Sequence, residues 1–147
     1  MSTKKDKLNP KDLHFMSVAL RLASARHGLT GTNPSVGCVI TKNDKIISIG
    51  QTGFNGRPHA ETNAIKNSFQ NLSGSKMYVT LEPCNHYGKT PPCTKSIIKS
   101  GINELFYFGQ IIFPPNLISI YSYTRIFCYY KSTRGVFYTL RMRATDY

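Results

Sequence analysis

Apolar and polar positions alternate with a helical period near the start of the chain. Residues 9–28 are predicted to form a helix, because Asn9 suits the N-cap, Pro10 the first helical position and Gly28 the exit. The side chains at helical spacing that we expect to face the core are Leu13, Met16, Leu20 and Ala23.

Short apolar runs then alternate with helical repeats. Strands are predicted over 36–41 and 45–50, and the polar turn between them indicates a hairpin. A third strand is predicted over 76–82, where apolar side chains in both alternating sets indicate that both faces are buried. The remaining predicted elements are helices over 59–69 and 92–100 and a strand over 104–108.

This order of elements predicts an α/β fold with three layers. After the hairpin, strands alternate with helices, which favours parallel pairing through right-handed crossovers. Together with the antiparallel hairpin, this gives a mixed sheet with helices on both faces. The length of 147 residues suits one domain.

The chain changes character near residue 110. Residues 111–147 hold six of the nine tyrosines, one acidic residue and one glycine, and no helical or alternating pattern persists there. We therefore expect a domain over 1–110 and an atypical tail over 111–147 that is irregular or out of frame.

Composition narrows the class of protein. The polar start lacks the apolar stretch of a secretory signal, and the apolar run at 111–120 is interrupted and far short of the ~20 residues that span a bilayer. We expect a cytoplasmic protein without membrane contact, in which the four cysteines favour metal binding or catalysis over disulfides. The net charge of +12 favours an anionic partner.

One histidine, two cysteines and a glutamate form the candidate chemistry. Zinc prefers nitrogen and sulfur ligands, and a catalytic Zn²⁺ keeps one of its four positions for water. His59, Cys84 and Cys93 supply three such ligands at predicted helix starts and just past a strand end, which meet at one edge of a parallel sheet. Glu61, two residues after His59, is predicted to move protons without binding the metal.

The order H-x-E, P-C and C along the chain is the signature of zinc deaminases, in which water replaces an amino group on a ring. A purely structural zinc site is the alternative. It would usually show a fourth cysteine or histidine ligand, a place that His86 could take.

At these residues the sequence resembles the deaminase domain of the bifunctional riboflavin biosynthesis enzyme, a branch of the cytidine deaminase-like superfamily. The resemblance covers about residues 10–110. Its most specific part is PCNHYGKTPPC at 83–93, where eight residues separate cysteines that most nucleic-acid and cytidine deaminases place as C-x-x-C. The segment TNPSVG at 32–37 also resembles this branch.

The resemblance implies a cofactor, a substrate and further site residues. The cofactor is Zn²⁺, and the substrate is 2,5-diamino-6-ribosylamino-4(3H)-pyrimidinone 5′-phosphate, deaminated to 5-amino-6-(5-phosphoribosylamino)uracil. Asn33 would hydrogen-bond the ring, while His86 and Lys89 would lie near the ribose or phosphate. From the residues alone, a turn residue before Pro34 is the alternative for Asn33, and an ordinary loop residue is the alternative for His86 and for Lys89. Related domains also self-associate.

Two departures from the family pattern stand out. Thr52 lies in a region where the family often has a histidine that contacts substrate. The helix, strand and reductase domain that follow residue 110 in the family are not recognisable, which suggests a lost reading frame near that residue.

Three functional hypotheses therefore remain. The first is a riboflavin-type deaminase without its reductase half, and the second is a zinc-binding remnant without activity. The third is a deaminase of nucleic acid or nucleosides, which the net charge favours and the eight-residue spacing opposes.

Overall fold

The computed structural model describes residues 9–84, 86–109, 127–132 and 135–141, with side chains up to residue 107. Helix α1 spans Pro10–Ala25. Asn9 caps it, since the Asn9 side chain accepts from the Asp12 backbone N–H and the Asp12 carboxylate accepts from the Asn9 N–H. This reciprocal capping box satisfies two backbone donors that the first turn otherwise leaves free.

The predicted hairpin is confirmed. Strand β1 spans Gly37–Lys42 and strand β2 spans Lys45–Gln51, and they pair antiparallel. Asn43 and Asp44 both have positive φ, as the two central residues of a type I′ turn require.

The remaining elements alternate as predicted. Helix α2 spans Ala60–Asn67, strand β3 spans Lys76–Val79, helix α3 spans Cys93–Lys99 and strand β4 spans Glu104–Gly109. Strand β3 pairs antiparallel with β1 and parallel with β4, so the sheet is mixed.

Helices cover both faces of this sheet, which confirms the three-layer arrangement. On one face α1 packs through a cluster formed by Phe15, Met16, Ala19, Val39, Tyr78 and Phe106. On the other face, α2 and α3 pack through Ala60, Ala64 and Ile97 against strand residues that include Cys38, Ile40 and Val79. Because β3 contributes to both clusters, it is buried on both sides, as its sequence predicted.

The face of α1 that enters the core differs from the predicted one. Met16 is buried, but Leu13 and Leu20 are 44% and 39% exposed, and Ala23 is only half-buried. The residues that do contact the sheet follow the i, i+3, i+4, i+7 spacing from Asp12, and they are Asp12, Phe15, Met16 and Ala19. The prediction failed because it excluded a charged residue from the core face. The Tyr78 hydroxyl donates to the Asp12 carboxylate at 2.7 Å, and this bond offsets part of the free-energy cost of burying the carboxylate.

Two glycines let the helices approach the strands closely. A Cβ on Gly37 would lie 1.9 Å from the Ala19 carbonyl oxygen of α1. A Cβ on Gly50 would lie 2.2 Å from the Ala60 oxygen and 2.5 Å from the Ala64 nitrogen of α2. Each glycine therefore sets the distance between the sheet and one helical layer.

The sequence predicted no regular element after residue 110, and the structure differs at two places. Strand β5 spans Phe127–Ser132 and strand β6 spans Gly135–Arg141, giving the order β2-β1-β3-β4-β6-β5. Both segments are rich in aromatic and β-branched residues, which suit strands even without regular alternation. Residues 110–126, 133–134 and 142–147 lie outside the described part of the chain, so the prediction for them stays untested.

Of the helices in the described ranges, none combines the length and apolar character that a membrane span requires.

Candidate metal site

The three predicted zinc ligands come from separate elements and meet at one edge of the sheet. His59 is the N-cap residue of α2, and Cys93 is the first residue of α3. Cys84 lies in the loop that follows β3. One ligand atom from each residue lies within 4.8 Å of the others, so the trio could hold a metal ion.

The spacing of these atoms suits zinc. The Nδ1 atom of His59 lies 3.3 Å from Cys93 Sγ and 3.6 Å from Cys84 Sγ. Zinc bonds of about 2.3 Å to sulfur and 2.0–2.1 Å to nitrogen, set at a tetrahedral angle, separate a sulfur from a nitrogen by about 3.6 Å. The donor set and its geometry therefore fit a tetrahedral Zn²⁺, and Nδ1 is the nitrogen that faces both sulfurs.

Neighbouring donors support the two sulfurs. The backbone N–H of Cys93, at the start of α3, donates to Cys84 Sγ at 3.3 Å. The Thr62 hydroxyl lies 3.9 Å from Cys93 Sγ. These contacts hold the two sulfurs in place, one through the backbone at the start of α3 and the other beside a hydroxyl of α2.

Burial opposes charge at the site. It raises the pKa of the Cys93 thiol, and the nearby charges of Glu61 and Cys84 raise it further. Burial also lowers the pKa of His59, as do the positive charges of Arg57 and His86. The imidazole is therefore held in the neutral form that binds metals, whereas the Cys93 thiol favours its proton until a cation binds.

Glu61 lies beside the cysteines and away from solvent. It is the second residue of α2 and is only 4% exposed. Burial raises the pKa of its carboxyl group, while hydrogen bonds from its own backbone N–H and from Cys93 lower it. A buried carboxyl group with a raised pKa takes up a proton more readily than an exposed one, which suits a group that accepts and releases protons in general acid–base chemistry.

Helix α2 is fixed to strand β2 by side-chain hydrogen bonds. The Ser48 hydroxyl donates to the Ala64 carbonyl at 2.6 Å. Asn63 and Asn67 donate to carbonyl groups of β2, the first to Gln51 at 2.7 Å. These bonds and the close contact at Gly50 place His59 and Glu61 at the sheet edge.

Asn33 braces the loop that leads to His59. Its Nδ2 donates to the Gly56 carbonyl at 2.9 Å. Thr52 is buried, accepts from the Val36 N–H at 2.9 Å and donates to the Pro34 carbonyl at 3.2 Å. Thr52 thus fixes the segment around Pro34 rather than offering a free polar group.

His86 and Lys89 lie in the exposed loop between the two cysteines. His86 lies two residues after Cys84 along the chain, so its backbone is close to that ligand candidate. Arg57 reaches the same loop, since its guanidinium donates to the Thr90 hydroxyl at 2.8 Å.

Sequence reasoning missed Thr62 and the bond between Arg57 and Thr90. The sequence signal available for Thr62 was its position directly after Glu61 in the predicted helix over 59–69. Arg57 and Thr90 are 33 residues apart, and no local pattern indicates that they meet.

Relatives of known name share the region that holds this site. The riboflavin biosynthesis protein RibD of Aquifex aeolicus is 47% identical over 94 residues, which are 64% of this chain and 26% of that protein. The diaminohydroxyphosphoribosylamino-pyrimidine deaminase of Buchnera aphidicola (subspecies Schizaphis graminum) is 46% identical over 95 residues, which are 65% of each chain. The chain thus spans less than two thirds of the length of either relative.

A solved structure agrees with the fold. It is a diaminohydroxyphosphoribosylaminopyrimidine deaminase/5-amino-6-(5-phosphoribosylamino)uracil reductase from Thermotoga maritima, with a TM-score of 0.60 and 43% sequence identity. The match covers 63% of this chain and 28% of that one.

The family described as the cytidine and deoxycytidylate deaminase zinc-binding region matches residues 9–109, a span that includes all three metal-ligand candidates and Glu61. The chain belongs to this cytidine and deoxycytidylate deaminase family.

Proposed function

We propose that this chain hydrolytically deaminates 2,5-diamino-6-ribosylamino-4(3H)-pyrimidinone 5′-phosphate to 5-amino-6-(5-phosphoribosylamino)uracil, a step of riboflavin biosynthesis. The observation that carries the proposal is the trio His59, Cys84 and Cys93 in zinc-like geometry beside buried Glu61. The eight-residue spacing of the cysteines and relatives named for this deaminase support the choice of substrate.

In this proposal His59 Nδ1 and the thiolates of Cys84 and Cys93 hold Zn²⁺. When bound, the ion supplies a Lewis acid that lowers the pKa of water to about 7. The Cys93 N–H and the Thr62 hydroxyl stabilise the two sulfurs as thiolates.

Glu61 moves the protons. Its carboxylate takes a proton from water and passes it to the ring nitrogen of the amidine group, while the water oxygen bonds to the adjacent ring carbon. Glu61 then shuttles the second proton to the exocyclic amine. The carbon–nitrogen bond breaks and ammonia leaves, so one water is consumed for each ammonia formed. The burial of Glu61 favours this role, because it brings the pKa closer to neutral pH.

The anionic end of the substrate would meet a cationic surface. Lys89 and His86 are exposed in the loop beside the metal-ligand candidates. A dianionic phosphate is stabilised by such cations. Asn33, which the resemblance places at the substrate ring, would hydrogen-bond the ring through its side-chain amide.

We also propose the wider organisation of the molecule. Residues 1–110 form the deaminase domain and 111–147 a tail with a different origin, after a loss of reading frame. The match to the family ends at residue 109, which supports this boundary.

The free thiols of the site need a reducing compartment, which favours the cytoplasm. Exposed Ile46 and Ile49 on edge strand β2 support self-association.

Ammonia release tests the proposal. Zinc-loaded protein is given the pyrimidinone phosphate, the same compound without its phosphate, cytidine and single-stranded RNA. We expect turnover of the phosphate, weaker turnover of the dephosphorylated form and none of the other two. Deamination of cytidine or RNA without turnover of the pyrimidinone phosphate would overturn the choice of substrate.

An inactive zinc-binding remnant is the second candidate, and the end of the family match at residue 109 favours it. Protein that holds zinc and unfolds cooperatively, yet turns over none of the four compounds, would establish this candidate instead.

A further inference from the structure

The segment between Cys84 and Cys93 is exposed and needs support to keep one conformation. Residues 86–91 are all exposed. Hydrogen bonds that hold the segment include a backbone bond from Gly88 to Thr90 at 3.3 Å and a bond from Lys95 to the Tyr87 hydroxyl at 2.7 Å. Both are local, so neither fixes the segment relative to the metal-ligand candidate on α2.

The hydrogen bond from Arg57 to the Thr90 hydroxyl, at 2.8 Å, makes that connection. Arg57 lies two residues before His59, the N-cap residue of α2, so the start of that helix limits where the Arg57 backbone can lie. Thr90 lies three residues before Cys93. The bond therefore joins the segments leading to two of the three metal-ligand candidates.

Hydrogen bonds hold the backbone that directly precedes Arg57. The turn over Phe54–Gly56 just before it is held by a backbone bond from Asn55 to Leu29 at 3.1 Å. The Asn33 side chain also holds this turn, because it donates to the Gly56 carbonyl at 2.9 Å. The planar guanidinium on this backbone presents several donors at fixed angles, so one Arg57 orientation can reach Thr90.

We propose that Arg57 is a positioning residue that braces the segment 86–91 through Thr90 and thereby holds His86 and Lys89 at the anionic end of the substrate. The kinetic part of this inference rests on the proposed function, whereas the brace itself does not. Arg57 lowers the pKa of His59, which agrees with its place beside the site.

Hydrogen–deuterium exchange on the full chain tests the brace without any substrate. We expect Arg57→Ala and Thr90→Val to speed exchange of the Gly88 amide, which donates to the Thr90 carbonyl, by about fivefold to tenfold, the change that loss of one ordinary hydrogen bond implies. Thr90→Ser keeps the hydroxyl and should exchange as the wild type does. Arg21→Ala, on the exposed face of α1, is the matched control for loss of an arginine. Unchanged exchange in both Arg57→Ala and Thr90→Val would overturn the brace.

Kinetics on zinc-loaded protein test its consequence. Arg57→Ala and Thr90→Val should each raise KM for the pyrimidinone phosphate about fivefold to tenfold with little change in kcat. The double variant should be no worse than either single one, because both remove the same bond. Thr90→Ser should restore the wild-type KM.

Two outcomes separate the brace from other roles. If Arg57→Ala raises KM while Thr90→Val does not, Arg57 binds the phosphate directly and the positioning role is wrong. If the wild type turns over no substrate but exchange responds as expected, the proposed function fails and the brace stands.

Discussion

At the scale of single residues, burial shifts the pKa values of three side chains of the site. Burial lowers the pKa of His59 and raises that of Cys93 and of Glu61. Burial thus shifts the pKa of each of the three side chains in the direction that disfavours its charged form. A bound Zn²⁺ changes this balance for the thiols, since coordination removes their protons. The carboxyl group of Glu61 is left as the group that can exchange protons.

The role of Glu61 predicts a clean separation of metal binding from catalysis. Glu61→Gln should keep its zinc, because the amide has nearly the same shape and Glu61 is not one of the three ligand candidates. Turnover should fall by about 10²–10⁴, the usual contribution of general acid–base catalysis. Ammonia release and zinc content, measured on one sample, check this.

Asp44→Asn is the control, since Asp44 is a surface carboxylate in the hairpin turn and should leave turnover unchanged. A Glu61→Gln enzyme with a near-normal rate would remove Glu61 from the mechanism.

At the scale of elements, the position of α2 depends on its contact with β2. Gly50 leaves room for the backbone of Ala60 and Ala64, and three side-chain hydrogen bonds hold the helix there. His59 and Glu61 begin this helix, so any displacement of α2 moves both. Helix α1, which meets Gly37 on the other face, carries none of the site residues.

This difference predicts unequal effects of two similar substitutions. Gly50→Ala and Gly37→Ala each force a Cβ into backbone atoms, and each should cost about 1–3 kcal/mol in the free energy of unfolding. Only Gly50→Ala should also weaken zinc binding, as measured by competition with a chelator under conditions where both variants are folded. Equal zinc affinity in the two variants would mean that α2 does not position the ligands.

Strand β3 is joined to α1 by a buried polar pair. The Tyr78 hydroxyl donates to the Asp12 carboxylate, and Lys76 lies 3.9 Å from the same carboxylate. Burial and the charge of Asp12 raise the pKa of Tyr78 above its ordinary value near 10. The folded state therefore holds the phenol proton more tightly than the unfolded state does.

A pH dependence of stability follows from this difference. The contribution is fully present below about pH 10, the unfolded pKa, and is lost as the pH rises from there toward the higher folded pKa. Urea unfolding at pH 8 and pH 10.5 should show a larger loss in the wild type than in Tyr78→Phe. At pH 8 the variant should be less stable by about 1–3 kcal/mol, because Asp12 loses a buried partner. Equal losses in the two proteins would contradict the assignment.

The elements up to residue 109 could be predicted because hydrophobic period and turn chemistry are local. The capping box at Asn9 and the two-residue turn at Asn43 are examples in which a few neighbouring residues decide the geometry. The rotation of α1 could not be predicted in this way. It depends on Asp12 meeting Tyr78, which is 66 residues away.

At the scale of the whole molecule, the candidate site is assembled from segments 25 and 34 residues apart. The order of the motifs and the alternation of strands and helices were enough to place the three ligand candidates at one edge. Supporting contacts such as Arg57 with Thr90 were not predictable, since they depend on how two loops meet in space. The net charge of +12 suggested an anionic partner, and the phosphorylated substrate that we propose agrees with that expectation.

The account depends most directly on one metal ion shared by His59, Cys84 and Cys93, and native mass spectrometry measures this. We expect one zinc per chain in the wild type and a loss of zinc in Cys84→Ser, with lower thermal stability because metal binding is coupled to folding. Cys38→Ser, which alters a buried thiol outside the trio, should keep its zinc. Undiminished zinc in Cys84→Ser, or a folded wild type that binds none when zinc is supplied, would contradict the account.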